Sequence, residues 1–71
     1  MGYAKKVNST VIEEIAYAQA NKTLTVKMRT GGIYEYQKVP VDVACELADA
    51  PSVGSYFCNN IQGEYECEKA G

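Results

Sequence analysis

Lys27, Arg29, Tyr34, Tyr36 and Lys38 bring three cations and two aromatic rings into one short central stretch of the chain. Cations neutralise phosphates and aromatic rings stack on exposed bases, so these residue types on one surface would suit a single-stranded nucleic acid. Whether they share a surface depends on the register of a hairpin that turns through Gly31-Gly32. If the two glycines alone form the loop, Thr30 opposes Ile33, Tyr34 meets Arg29 and Tyr36 meets Lys27. That register builds an aromatic and cationic platform opposite the face carrying Leu24, Val26 and Met28. If Thr30 joins the loop, Met28 opposes Tyr34, Val26 opposes Tyr36 and Glu35 sits across from Lys27. The tyrosines then turn into the core. This second register pairs apolar with apolar and opposite charges across strands, so it is locally the more consistent of the two.

Other chemistry finds few parts. Catalysis needs a nucleophile with a base, a tuned acid and base pair, or a metal. The chain has no histidine. Glu13 and Glu14 are adjacent, so on a strand they point to opposite faces and cannot work as a pair. Cys45, Cys58 and Cys67 are odd in number and widely spaced, which suits unpaired thiols in a reducing compartment better than a metal site or a disulfide framework. The expectation is a protein that is not an enzyme and uses neither metal nor cofactor.

At 71 residues the chain has room for one core, and residues 1–71 read as a single domain. A core of this size supplies about 3–5 kcal/mol, so self-association or a fusion partner would add useful stability. With 46% hydrophobic and 23% charged residues, the composition is that of a folding domain. No apolar run long enough for a signal peptide or a membrane span occurs, which points to the cytoplasm. Charge is uneven: residues 1–38 carry six cations and three carboxylates, whereas residues 39–71 carry one cation and six carboxylates.

The elements that must position the central stretch are legible from periodicity. Ile15 and Tyr17 share one face of an extended segment over 11–17, and Ala20-Asn21-Lys22 supplies a turn. Thr23 to Arg29 alternates without a break, apolar at even positions and polar at odd ones, the pattern of a strand with one buried face. Residues 33–39 are rich in β-formers and complete a three-strand antiparallel meander. Pro40 suits the first residue of a helix, whose apolar stripe is Val43, Ala44, Leu47 and Ala48; Pro51 ends it near Ala50. Ser52 caps a second short helix carrying Val53, Tyr56, Phe57 and Ile61, closed by Gly63. Tyr65 and Cys67 alternate with Glu64, Glu66 and Glu68, as in a short C-terminal edge strand whose charges discourage further pairing. The fold class is therefore α+β.

Read in order, Val7, Ser9, Ile12, Ile15 and Tyr17, then Leu24 and Val26, Tyr34 and Tyr36, and Val39-Pro40 form the first part of a longer pattern. Ser52, Gly54, Tyr56, Phe57, Asn60, Ile61, Gly63 and Tyr65 complete it. The whole resembles the KTSC domain, a small module named for the carboxyl end of some lysyl-tRNA synthetases and also found alone in bacterial and phage proteins. The resemblance spans about residues 7–65 and implies a fold rather than a reaction. It also brings the suggestion of RNA binding. Family members often carry basic residues after the glycine matching Gly63, where this chain has Glu64, Glu66 and Glu68.

Residues and resemblance together lead to a small binding module, with three occupants in view. The leading expectation is a protein partner or self-association, which the acidic second half suits. The alternative is weak RNA binding through the cations Lys5, Lys6, Lys27, Arg29 and Lys38 and the aromatic rings of Tyr34 and Tyr36. A variant of the first is an oligomer that sequesters a small nucleotide, for which no motif speaks.

Overall fold

The computed structural model describes residues 2–7 and 11–71, the side chains of residues 2–6 excepted. Among the described residues five strands form one antiparallel sheet in chain order: β1 (Gly2–Lys6), β2 (Ile12–Ala18), β3 (Thr23–Met28), β4 (Ile33–Tyr36) and β5 (Cys67–Lys69). Helices α1 (Val41–Asp49) and α2 (Val53–Asn60) are inserted between β4 and β5. The expected meander is β2–β3–β4. The sheet is wider than expected, because β1 pairs along β2 from Gly2 opposite Ala18 to Lys6 opposite Glu14. Ser9 and the side chains of Lys5 and Lys6 lie outside the described residues.

One face of the sheet is apolar and covered. Ile15, Tyr17, Leu24, Val26 and Tyr36 meet Ala44 and Leu47 of α1 and Phe57 and Ile61 at α2, with Val7, Ile12 and Val39 closing the sides. The core register exists because β2 carries an irregularity. Ile12 pairs with Met28 but Glu14 with Lys27, so one extra residue, Glu13, is accommodated in β2. A β-bulge of this kind shifts the alternation by one position. Ile12 and Ile15, three apart, are thereby both buried.

Helix ends follow local chemistry. Pro40 takes the capping position, extended at φ −62° and ψ 149°, and Val41 rather than Pro40 is the first helical residue. The Pro40 carbonyl accepts from the Val43 and Ala44 amides. Ala50, before Pro51, is extended, as the steric demand of the proline ring requires. Ser52 caps α2, its hydroxyl accepting from the Ser55 amide at 3.4 Å. Among the described residues no helix is long and apolar enough to cross a membrane.

Candidate functional site

The β3–β4 hairpin adopts neither of the two expected registers. Leu24 pairs with Tyr36, Val26 with Tyr34, and Lys27 with Ile33. Arg29, Thr30 and Gly31 form the loop: the Met28 amide donates to the Gly32 carbonyl at 2.8 Å and the Gly31 amide to the Met28 carbonyl at 3.0 Å. A tight turn followed by a residue at positive φ is a preferred three-residue connection, and Gly31 supplies that residue at φ 102°. The shift is two residues from the register expected to bury the tyrosines, so the tyrosines keep the core side of the sheet while their partners change. Thr25, not Lys27, faces Glu35. Lys27 pairs instead with Glu13 on the opposite side, Nζ to Oε2 3.2 Å.

This arrangement disperses the candidate residues. Tyr36 is in the core at 5% exposure, its ring set edge-on to Phe57 with centroids 5.5 Å apart. Burial pushes its hydroxyl well above the ordinary tyrosine range, helped by a hydrogen bond shared with the Cys67 thiol. Lys27 lies on the uncovered face of the sheet. Lys38 adopts φ 56° at the other end of β4, where the Val39 amide donates to the Lys22 carbonyl. Arg29 is in the hairpin loop, its amide donating to the Val11 carbonyl at 3.0 Å. A strand advances about 3.3 Å per residue, so the six residues of β3 keep Arg29 and Lys38 at opposite ends of the sheet. The five residues do not form one platform.

Of the five, Tyr34 and Tyr36 line one cleft, with Tyr34 the more accessible of the two. Val11, Met28, Thr30, Tyr34, Tyr36, Gln62 and Cys67 enclose about 480 Å³ at the hairpin end of the covered face. The Tyr34 ring lies over Gly32: a β-carbon there would stand 3.0 Å from Tyr34 Cε2. Glycine at 32 thus provides the seat for the ring. Val11 keeps 43% exposure beside it. The walls are apolar or neutral, and Thr30, Tyr34 and Gln62 supply hydrogen-bonding groups without a formal charge. Sequence reasoning missed Val11, Met28, Thr30, Gln62 and Cys67 as cleft residues, because they come from four separate segments with no common motif.

β5 sorts its charges by face. Cys67 pairs with Tyr36 and Lys69 with Tyr34, whereas Glu68 pairs with Glu35. Directly opposed residues share a face, so Lys69 is on the Tyr34 side and Glu68 on the other. All three residues of β5 are exposed. Cys45, Cys58 and Cys67 are all free and exposed thiols.

Two further tyrosines are structural. Tyr17 Oη donates to the Val39 carbonyl at 2.6 Å within the core. Its hydroxyl is raised above the ordinary range by burial and, secondarily, by Cys45. Tyr56 Oη donates to Glu46 Oε1 at 3.0 Å, tying α2 to α1. Burial first, and this bond next, raise Tyr56 in the same direction.

Known proteins resemble this chain in sequence and in fold. The chain is 39% identical over 64 residues to a lysine–tRNA ligase of Nostoc punctiforme and 41% identical over 64 residues to one of Trichormus variabilis. Each match takes in 90% of this chain but 11% of the ligase, so the chain spans about a tenth of the length of these curated relatives. The crystal structure of a KTSC domain protein from Yersinia pestis superposes with a TM-score of 0.94 at 31% identity, covering 100% of both chains. The family model of the KTSC domain matches residues 8–65, and the chain belongs to that family.

Proposed function

We propose that this chain is a non-catalytic binding module that works through the Tyr34 cleft and takes a protein as its occupant. The observation that carries this reading is the cleft itself: a neutral, concave surface on which Val11, Met28 and Tyr34 remain partly accessible. Methionine and tyrosine are enriched where protein surfaces meet, and a half-buried aromatic beside a pocket is the usual form of an energetic anchor. The candidate cations, by contrast, lie on different faces and ends of the sheet. A self-associating copy is the same reading with the partner supplied by the chain itself. The module needs neither metal nor cofactor, and three free thiols suit a cytoplasmic setting.

One observation favours RNA as the second reading. The relatives in Nostoc and Trichormus are lysine–tRNA ligases, enzymes that handle an RNA, and Lys69 pairs with Tyr34 across the sheet. A small nucleotide fits the same volume. Affinity capture on the immobilised chain from a bacterial lysate, with and without nuclease, separates the readings. Capture of a defined protein that survives nuclease and is lost with Tyr34→Ala is the expected result. Captured material that disappears on nuclease treatment would overturn it in favour of RNA. Sedimentation of wild type beside Tyr34→Ala reports whether the occupant is a second copy.

A further inference from the structure

The tail that makes the second half of the chain acidic does not make the cleft acidic. Strand pairing puts Glu68 on the same face as Glu35 and Thr25, the side of the sheet without helices. Glu66 accepts from the Gln37 amide through its carbonyl, two residues before Glu68, and so shares that outward alternation. The residues of β5 on the Tyr34 side are Cys67 and Lys69. Lys69 is the direct cross-strand neighbour of Tyr34, it is exposed, and it is the one cation of the second half of the chain. Arg29 sits in the loop between two cleft residues, Met28 and Thr30. Glu35, Glu66 and Glu68 adjoin the cleft residues Tyr34, Tyr36 and Cys67 in sequence but alternate to the other face, so the charge that β5 brings to the Tyr34 side is that of Lys69, although the whole chain is negative.

We infer that the cleft recognises an acidic protein segment, taking an aliphatic or aromatic side chain between Val11, Met28 and Tyr34 and a neighbouring carboxylate against Lys69. The inference rests on the protein-binding reading above and adds the chemistry of the partner. Charge complementarity selects this occupant: a basic segment would meet the like charge of Lys69 beside Tyr34, while a wholly apolar one would make no use of it. The uncovered face carries the opposite sign through Glu14, Glu35 and Glu68, so the two sides of one sheet attract different partners.

Two capped tripeptides provide the probe, N-acetyl-Phe-Asp-Asp-amide and its Asn-Asn counterpart, titrated into the 15N-labelled chain with adenosine monophosphate as a third ligand. The acidic peptide should shift the amides of residues 28–34 and 67–69 and bind about threefold more tightly than the neutral one, the range of an exposed ion pair. Lys69→Glu should reverse that preference, and Tyr34→Ala should weaken both peptides alike. Equal binding of the two peptides, or a preference unchanged by Lys69→Glu, overturns the inference while leaving the cleft a protein-binding site. No peptide binding at all, or tighter binding of the nucleotide, overturns it together with the reading on which it rests.

Discussion

At the residue scale the two central tyrosines, identical in type and two apart, do different work. Tyr36 packs against Phe57 and belongs to the core, whereas Tyr34 rests on Gly32 and borders the cleft. Tyr36→Ala should therefore cost about 3–5 kcal/mol, as truncation of other large buried aromatics does. In a core of this size that is enough to unfold the chain, which circular dichroism would register as lost cooperative melting. If the variant melts like wild type, Tyr36 is not the core residue described here. Alkali provides an independent check on the buried phenols. Tyr17, Tyr36 and Tyr56 all have hydroxyls raised in the fold, chiefly by burial. A raised folded value means the unfolded chain loses these protons first, near the ordinary tyrosine value of about 10. The stability they contribute is fully present below that pH and is lost as pH climbs toward the folded values. Denaturant midpoints should be insensitive to these groups near neutrality and fall steeply above about pH 10. A midpoint flat to pH 12 would count against their burial.

At the element scale, what was legible and what was not divide along one physical line. Patterns set by hydrophobic period were readable: Leu24 and Val26 alternate and are buried, the Ala44 and Leu47 stripe faces the sheet, and Ser52 and Pro51 mark helix boundaries. Features set by a single residue of register were not. A run of glycines permits several hairpin loops, and the choice of Arg29-Thr30-Gly31 depends on how β4 seats Tyr34 and Tyr36 against Val26 and Leu24. The extra residue Glu13 is equally silent, since Ile12 and Ile15 only look misaligned until the irregularity is known. β1 was missed because Gly2-Tyr3-Ala4-Lys5-Lys6 has no apolar alternation of its own; its strand character comes from pairing with β2. The hairpin assignment makes a sharp prediction. Gly31 has φ 102° and open space around it, so Gly31→Ala should destabilise by about 1–2 kcal/mol through the backbone alone. Gly32→Ala meets the Tyr34 ring instead, and should displace that ring toward the cleft with a smaller stability cost. Thermal melts of the two variants, with the Tyr34 ring resonances followed by NMR, distinguish them. Equal melting losses with no ring shift would mean that the loop is placed wrongly.

At the scale of the whole molecule, the distribution of charge matters more than its net value of −2. Affinity for RNA depends on releasing counterions from several phosphates at once, which requires cations along one continuous path. Here Lys27 is paired with Glu13 on the uncovered face, Lys38 and Lys22 stand at one end of the sheet, and Arg29 stands at the other. Lys69 and Arg29 flank the cleft, but two cations answer only a short stretch of backbone. The uncovered face, with Glu14, Glu35 and Glu68, repels a phosphate chain that attempts to wrap further. Generic single-stranded RNA should therefore bind no more tightly than about micromolar at physiological salt, with a shallow dependence on ionic strength. A fluorescence titration at two salt concentrations measures both quantities, with Lys27→Ala combined with Arg29→Ala as the control. Nanomolar affinity with a steep salt dependence, lost in that double variant, would mean that the separated cations converge on RNA after all and that the protein-binding reading must yield to it.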